Sequence, residues 1–241
     1  MTSDQAPFHP TAEFYDLVYA HLDYEGHAGT VEGIIRDRNP GAGSLLDVAC
    51  GTGKHLEIWQ GRFDRLAGLD LDEALLEIAA ARLRGVPLHH GDYTDFDLGE
   101  TFDAVTCLFS SIGYARTPDR LDAAVAAMVR HLAPGGVLVV EPWLQAEDLE
   151  PPWVRLLTAE GDGVVVARTS AISRRGAVST ARFDYLISTP ESSEHRTEHH
   201  VMGMFTPAQF EQAFTAAGLD FEWDPQGTYL GRGLAIGVRP N

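Results

Sequence analysis

Positive charge is scarce in this sequence. Its 241 residues include 18 Lys and Arg against 35 Asp and Glu, which gives a formal net charge of −17 at pH 7. Lysine occurs once, as Lys54. A chain this acidic repels the phosphates of a nucleic-acid backbone, so we expect neither DNA nor RNA as a partner.

Cysteine and long apolar runs are scarce as well. The two cysteines, Cys50 and Cys107, lie in apolar segments and are too few for a disulfide framework, so we interpret both as reduced core residues. No apolar run approaches the roughly 20 residues that span a bilayer. The N-terminal MTSDQAPFHP has neither the basic nor the apolar region of a signal peptide, so we expect a cytoplasmic protein without a membrane partner.

From residue 44 onward, short apolar segments alternate with helical patterns. Strands are predicted at 44–50, 65–70, 86–90, 102–110 and 136–143. Helices are predicted from about 54 to 60, after Asp72 as N-cap, and after Thr117-Pro118, the last one reaching Leu132. This alternation predicts an α/β fold in which a parallel sheet has helices on both faces.

The segments on either side of this alternation have other patterns. Helical spacing predicts two N-terminal helices, over 14–21 and around Val31–Ile35. Residues 163–173, 179–188 and 198–205 alternate as antiparallel strands do, with the turn-rich SRRGA and TPESSEH between them. A capping box at Thr206 then begins another helix, and FEW and GLAIGV predict two final strands. We therefore expect three parts: an N-terminal helical cap (1–42), a core (43–148 and 206–241) and an inserted antiparallel sheet (149–205).

A glycine loop, DVACGTG at 47–53, follows the first predicted strand. It is not a phosphate-binding P-loop, because no glycine stands five residues before Gly53 and His55 replaces the hydroxyl residue. A dinucleotide fold requires G-x-G-x-x-G, and here Gly51 and Gly53 match while Leu56 occupies the third position. An NAD-dependent oxidoreductase is therefore only a distant alternative.

Three aspartates near the ends of predicted strands indicate which kind of ligand the loop binds. Asp47, inside the first strand, would be costly to bury unless it pairs with a cation or with donors. Asp70 ends the second strand, 19 residues after Gly51, where a carboxylate can accept from both hydroxyls of a ribose. Asp92 follows the third strand, where it can accept from the exocyclic amine of adenine. A ribose, an adenine and an ammonium group without phosphate describe S-adenosylmethionine (SAM).

These motifs also carry a family resemblance. DVACGTG, GLD (68–70), HGD (90–92), FDAVTCLFSSIGY and LAPGGVLVVEPW resemble the Rossmann-like SAM-dependent methyltransferases over residues 44–143. More narrowly, LHHGDYTDF, FSSIGY, VVEPW, QFEQAFTAAGL and GRGL resemble the N,N-dimethyltransferases of nucleotide-linked (TDP) amino sugars, over nearly the whole chain. The resemblance implies N-methylation of an amino deoxysugar in secondary metabolism, with the inserted sheet over the active site.

The same resemblance implies which residues form the site. The cofactor contacts it implies are Tyr15, Tyr24, Asp47, Ala49, Gly51, Gly53, Asp70, Leu71, Asp92, Tyr93 and Phe109. Tyr114 stands where the family has a Tyr or His close to the amine, and Arg232 of GRGL stands where a family arginine meets the pyrophosphate. Trp143 and Tyr229 complete the implied substrate contacts.

Histidines offer a second kind of chemistry. Alternation along the predicted strand points His199 and His200 to opposite faces, so at most one of them faces the site, and His200 is our candidate general base. His195, Glu198 and His199 are metal-ligand residue types, but their spacing fits no strong motif and they are interpreted as part of a turn. No metal is therefore expected.

Departures from the family leave the acceptor open. Pro7 and Phe8 stand where the family has a tyrosine, while Thr180 and Arg182 replace its Arg and Glu. The expected reaction is direct displacement at the methyl carbon, with S-adenosylhomocysteine as product, and an amine with a pKa of about 8 needs no strong base. An O- or C-methyltransferase of another small molecule and a non-catalytic SAM-binding protein remain alternatives. The number of methyl groups and the oligomeric state, with a homodimer as one option, stay open.

Overall fold

A computed structural model describes residues 11–149, 153–227 and 231–241, without the side chain of residue 147. Its strands are β1 (Ser44–Val48), β2 (Arg65–Asp70), β3 (Leu88–His90), β4 (Phe102–Cys107), β5 (Leu132–Val140), β6 (Trp153–Gly161), β7 (Val164–Arg175), β8 (Val178–Ser188), β9 (Ser193–Gly203), β10 (Asp220–Asp224) and β11 (Leu234–Val238). Its helices are α1 (Tyr15–Val18), α2 (Tyr24–Arg38), α3 (Lys54–Trp59), α4 (Glu73–Arg82), α5 (Pro118–Arg130) and α6 (Pro207–Ala216), with 3-10 turns at Ala12–Phe14, Ser111–Ala115 and Ala146–Asp148.

The strands form two sheets. A seven-stranded sheet has the order β10-β11-β5-β4-β1-β2-β3, in which β11 runs antiparallel to both β5 and β10. The strand order reverses between β1 and β4, which pair in parallel. In such a sheet the ligand crevice lies beyond the carboxyl ends of the strands at the reversal point. The glycine loop after β1 and the turn after β4 therefore meet at this crevice.

Both faces of the central sheet are covered by helices. Successive residues of a strand point to opposite faces, and Leu46 packs in the cluster with α5 and α6 while Leu45 packs with α2, α3 and α4. All five residues of β1 are buried, as expected for a parallel strand between two helical layers. The predicted α/β fold with helices on both faces is thereby confirmed, apart from one antiparallel strand, β11.

Side-chain caps determine where the helices begin. Asp72 accepts from the backbone N–H groups of Ala74 and Leu75, and Thr206 forms the predicted capping box with Gln209. The prediction was wrong at the end of α5, which stops at Arg130. Leu132 is the first residue of β5, because the chain turns at His131 and Leu132 pairs with Phe102 of β4.

The first N-terminal helix is much shorter than the predicted 14–21. It consists of a 3-10 turn and α1, which ends at Val18, since the chain turns over Tyr19–Leu22 before Asp23 caps α2. No helix in the described ranges is long and apolar enough to cross a membrane.

The second sheet is antiparallel, with the order β6-β7-β8-β9. β6 was not predicted, because it is an edge strand whose residues are mostly exposed and lack a clear alternation. The turn assigned to His195, Glu198 and His199 was also wrong, since β9 begins at Ser193 and pairs with β8 along its whole length. The division of the chain at 42/43, 148/149 and 205/206 stays a prediction.

Candidate active site

The glycine loop leaves β1 with positive φ angles. Ala49, Gly51 and Gly53 have φ of 58°, 56° and 75°. A Cβ on Gly53 would lie 2.8 Å from Leu83 Cδ1, whereas a Cβ on Gly51 would meet nothing within 4 Å. Gly53 therefore lets α4 pack closely on the loop, and Gly51 presents bare backbone to open space. Such a surface is suited to close approach by a ligand.

Asp70, at the end of β2, anchors this loop. Its carboxylate accepts from the backbone N–H of Gly51 at 2.7 Å and from that of Asp72 at 2.8 Å, and the residue is 9% exposed. Burial raises the pKa of Asp70, although the two N–H groups act in the opposite direction. A carboxylate oxygen has two lone pairs, so these bonds leave capacity for a ribose. The ribose role stays a prediction, and the anchoring role is one that sequence reasoning missed.

Asp47 is buried at the carboxyl end of β1. It is 2% exposed and accepts from Thr106 Oγ1 at 2.7 Å. Burial raises its pKa to about 7; the nearby Asp70 adds to the rise, whereas the Thr106 hydrogen bond opposes it. The site therefore holds a carboxyl group whose charge is poorly compensated, as expected for the partner of a ligand ammonium group.

Asp92 and Leu71 lie at the outer rim of the crevice. Asp92 accepts from Thr94 N and Thr94 Oγ1 at 2.9 and 2.8 Å, and from Arg120 Nη2 at 3.2 Å. Partial burial raises its pKa, but the hydrogen bonds from Thr94 and Arg120 outweigh burial, so the net pKa is lowered. Leu71 directly follows Asp70 and is 43% exposed. The partnership with Arg120 was not anticipated, and the adenine roles stay predictions.

Tyr93 packs against the core between these rim residues and α5. Its hydroxyl donates to the carbonyl of Ser111 at 3.4 Å, and its ring is partly buried against the core. Burial raises the pKa of this hydroxyl well above its ordinary range. Packing against the core and stacking on an adenine both remain compatible with this placement.

Four aromatic rings meet beside the crevice. Ring centroids are 4.7 Å apart for Tyr15 and Tyr19, 5.1 Å for Tyr19 and Phe109, and 6.2 Å for Tyr24 and Phe109. Burial raises the pKa of Tyr15, and Tyr19, Tyr24, Tyr114 and Asp70 contribute further. Sequence reasoning did not assign Tyr19 a role, although its i,i+4 spacing from Tyr15 was a usable signal. Aromatic faces attract cations, and this cluster suits a sulfonium group.

A turn with two non-glycine positive φ angles follows β4. Phe109 and Ser110 have φ of 55° and 66°. Glu141, fully buried at the end of β5, accepts from Phe109 N at 2.7 Å. Its other oxygen lies 3.5 Å from His27 Nε2, and His27 Nδ1 lies 2.7 Å from His55 Nε2. Burial and the neighbouring His27 lower the pKa of His55 to about 3, so His55 is neutral at physiological pH.

The same turn contacts the predicted substrate residues. Arg232 Nη1 donates to Ser110 Oγ at 2.6 Å, and its guanidinium lies 4.7 Å from the ring centroid of Trp143. Trp143 Nε1 in turn donates to Ser179 Oγ at 2.9 Å. The structure thus brings Arg232 and Trp143 together. Tyr229 lies outside the described residues. The motifs VVEPW and FSSIGY contain Glu141 and Ser110, but no role was predicted for either, and His27 lies in no motif. Their contacts join distant parts of the chain.

Tyr114 and His200 are paired on the insertion side of the crevice. Tyr114 Oη lies 2.9 Å from His200 Nδ1, and His200 Nε2 lies 3.4 Å from Glu198 Oε2. A small pocket borders His200 and Glu198; its other lining residues are Thr11, Tyr15, Val18, Tyr19, Phe183 and Tyr185. His199 is exposed on the opposite face, as alternation predicted. The sequence offered Glu198 only as a metal-ligand residue type, and its place beside His200 was not predicted.

Neither a metal site nor a thiol nucleophile is present in the described ranges. These residues include no group of three or more His, Cys, Asp or Glu side chains arranged for a metal ion. Cys50 and Cys107 are buried and unbonded to each other, and burial raises the pKa of both thiols. Neither thiol is therefore suited to act as a nucleophile.

Comparison with known sequences gives one family. Residues 45–136 match the family described as a methyltransferase domain. The dTDP-3-amino-3,6-dideoxy-alpha-D-glucopyranose N,N-dimethyltransferase of Streptomyces fradiae is 44% identical over 230 residues, which cover 94% of this chain and 90% of that protein.

Solved structures give the same result. DesVI from Streptomyces venezuelae has a TM-score of 0.90 and 43% identity, covering 95% of this chain and 98% of its own. The SAM-bound structure of an amino pentose methyltransferase from Micromonospora echinaspora has a TM-score of 0.86 and 39% identity, covering 99% and 100%. These similarities extend through the inserted sheet as well as the central one.

Proposed function

The chain belongs to the SAM-dependent methyltransferases that include the dTDP-amino sugar N,N-dimethyltransferases, and from this premise we propose that it methylates the amino group of a dTDP-linked amino deoxysugar. The observation that carries the proposal is the pairing of a SAM-type glycine loop with Arg232 and Tyr114 on the acceptor side of one crevice. By analogy with the named activity of its relative, we propose that two methyl groups are added to the same nitrogen.

The cofactor is SAM, and the residues present fit it. Bound SAM supplies a methyl carbon that its sulfonium makes electrophilic. We propose that Asp47 pairs with its ammonium group, that Gly51 admits its amino-acid end, and that Asp70 accepts from its ribose. Asp92 and Tyr93 would border the adenine, and Tyr15, Tyr19, Tyr24 and Phe109 would face the sulfonium.

The protein contributes to catalysis by aligning the amine with the methyl carbon and by excluding water from the site. An amine that is neutral near pH 8 already is a nucleophile, so holding it in line with the methyl carbon supplies most of the required rate gain. Tyr114 is placed to hold the amine by a hydrogen bond. The aromatic rings around it and the inserted sheet exclude water, which strengthens the electrostatic contacts in the site.

Arg232 is the proposed ligand of the sugar-nucleotide diphosphate. A guanidinium matches phosphate oxygens with two parallel hydrogen bonds, and this one is oriented by Ser110 and Trp143. A charge-assisted hydrogen bond contributes about 1.5–3 kcal/mol, so Arg232→Ala should raise KM for a dTDP-3-amino-dideoxyglucose about tenfold to a hundredfold. Arg174→Ala, at an exposed hairpin end, is the matched control.

An unchanged KM in Arg232→Ala would refute the proposal that Arg232 binds the diphosphate. Assaying 3-amino and 4-amino sugar nucleotides in parallel would identify the acceptor position. A methyl group found on oxygen by NMR would favour the second candidate, an O-methyltransferase. That candidate has one supporting observation, because O-methylation requires a general base and the Tyr114–His200 pair could supply it.

A homodimer is a further proposal. Large apolar side chains are exposed on the inserted sheet, with Leu156 at 69%, Val154 at 56% and Leu186 at 50%. Exposed apolar patches mark interaction surfaces more often than isolated exposed residues do. Light scattering should give twice the 26.3 kDa chain mass, and a monomer at micromolar concentration would contradict the proposal.

A further inference from the structure

A buried polar chain runs from Tyr114 into the inserted sheet. Tyr114 Oη lies 2.9 Å from His200 Nδ1, and His200 Nε2 lies 3.4 Å from Glu198 Oε2. Glu198 and His200 are each 5% exposed. They stand two residues apart on β9, so their side chains share the face that points toward the crevice. The tyrosine thus contacts the histidine, and the histidine contacts a carboxylate that can orient it.

The carboxylate determines which histidine nitrogen carries the proton. Two acceptors do not attract each other, so the nitrogen that faces Glu198, Nε2, must be the protonated one. In a neutral imidazole the other nitrogen is then an acceptor. Tyr114 therefore donates its hydroxyl proton to His200 Nδ1, and Nδ1 is the place where a further proton can be taken up.

Glu198 has hydrogen-bond partners on both carboxylate oxygens. It accepts from Tyr185 Oη at 3.1 Å and from the Thr11 hydroxyl, in addition to His200. The Arg168 guanidinium, 9% exposed, donates to Tyr19 at 2.9 Å and also bonds Tyr185. Tyr185 therefore links this guanidinium to the carboxylate. Three partners on its two oxygens hold the buried Glu198 side chain in place.

The proposed reaction requires the removal of a proton, which the hydrogen-bonded Tyr114, His200 and Glu198 side chains could carry out. An amine with a pKa of about 8 is roughly nine-tenths ammonium at about pH 7, and an ammonium has no lone pair with which to attack a methyl carbon. Each methyl transfer to a neutral amine also produces a new ammonium. A second transfer to the same nitrogen therefore requires that a proton leave between the two steps.

We propose that Tyr114, His200 and Glu198 form a relay that removes this proton from the acceptor nitrogen. The proposal rests on the proposed function. The ammonium N–H bond breaks and its proton passes to Tyr114 Oη, while the Tyr114 proton passes to His200 Nδ1; the nitrogen keeps the electron pair. The product is a neutral amine and an imidazolium beside the Glu198 carboxylate. Glu198 is a positioning residue, because it acts through His200.

The surroundings favour concerted transfer. Burial raises the pKa of the Tyr114 hydroxyl well above its ordinary range, with Tyr19 and Glu198 adding to the rise, so Tyr114 passes the proton on and is not a phenolate at rest. The small pocket lined by His200 and Glu198 is the proposed exit for the imidazolium proton. The titratable and charged groups that face His200 or its carboxylate from the packed elements are Tyr114, Glu198, Tyr185, Arg168, Tyr15 and Tyr19.

The proposal is tested by measuring how kcat/KM of the Glu198→Gln variant depends on pH. The amide keeps the shape of the side chain but cannot stabilise an imidazolium, so the variant must bind amine that is already neutral in solution. We expect kcat/KM for the dTDP-amino sugar to fall about tenfold at about pH 7 and to return toward wild type at about pH 9. We also expect the monomethylated product to accumulate, while the SAM dissociation constant stays within about threefold.

The control is Glu194→Gln, an exposed glutamate of the same strand, which should keep the wild-type profile. Should Glu198→Gln not fold, as judged by SAM binding, Tyr114→Phe carries the same expectations. A loss equal at both pH values, or an unchanged ratio of mono- to dimethylated product, would overturn the relay. A wild-type enzyme that binds SAM but methylates no dTDP-amino sugar would instead refute the proposed function.

Discussion

Replacing Asp47 with Asn should stabilise the ligand-free protein while it weakens cofactor binding. The carboxyl group is 2% exposed, and burial raises its pKa from 3.8 to about 7. Because this pKa is higher in the folded state than in the unfolded state, the associated stability is fully present below about pH 4. It is lost as the pH rises toward 7. Above that pH the folded protein carries an unfavourable buried charge.

The magnitude follows from the shift. Each pKa unit corresponds to about 1.4 kcal/mol, so the rise from 3.8 to about 7 amounts to about 4 kcal/mol at most. Relaxation of the surroundings reduces this figure, and we expect Asp47→Asn to be about 2 to 4 kcal/mol more stable than wild type at about pH 8. At about pH 5 the gain should be smaller by about 2 kcal/mol. SAM binding should weaken about tenfold or more, since the ammonium loses its carboxylate.

The assay is urea-induced unfolding of the ligand-free protein at the two pH values, followed by circular dichroism, together with calorimetric titration of SAM. Asp103→Asn is the matched control at the opposite end of the same strands. The Asp103 carboxylate accepts from Gly43 N, Ser44 N and Ser44 Oγ at 2.8–2.9 Å. Partial burial raises the pKa of Asp103, but these hydrogen bonds lower it by a larger amount. The net pKa is therefore below the ordinary value for aspartate.

The depressed pKa reverses the sign of the control. The stability that Asp103 contributes is present above its unfolded pKa and is lost only as the pH falls below about 4, so Asp103→Asn should be destabilised equally at both pH values. For Asp47→Asn, a stability difference that does not change between the two pH values would refute the reasoning. A loss of stability at about pH 8 would refute it as well.

Two further substitutions test the crevice. Gly53→Ala should lower the free energy of unfolding, measured by thermal melts, by about 2 to 4 kcal/mol, because φ is 75° and the new Cβ would lie 2.8 Å from Leu83. The control is Gly61→Ala, where φ is 81° but the new Cβ would meet open space, and it should cost only about 1 to 2 kcal/mol. Glu141→Ala removes the acceptor of the Phe109 N–H and should raise both the SAM dissociation constant and KM for the sugar nucleotide. If stability falls in Glu141→Ala while neither constant changes, the turn does not depend on the carboxylate.

Local signals account for the part of the site that the sequence could predict. The glycine loop, Asp70 and Asp92 each lie at or just after the end of a strand, so strand spacing alone places them at one edge of the sheet. Short apolar runs likewise predicted the buried strands β1, β4 and β5. β6 escaped notice because an exposed edge strand needs no apolar face.

The remaining contacts depend on the tertiary fold. Tyr114 and His200 are 86 residues apart, Phe109 and Glu141 are 32 apart, and Arg232 and Ser110 are 122 apart. Such pairs meet only because the insertion and the last strands pack beside β4 and β5, and no local pattern records that packing. A cytoplasmic location and the individual cofactor contacts stay predictions.

The turn at Phe109 and Ser110 belongs to both halves of the crevice. Phe109 lies among the rings proposed to face the methyl donor, and Ser110 bonds the arginine proposed for the sugar nucleotide. A shift of this turn therefore changes two affinities at once, and thermodynamic linkage requires each ligand to influence the other by the same factor.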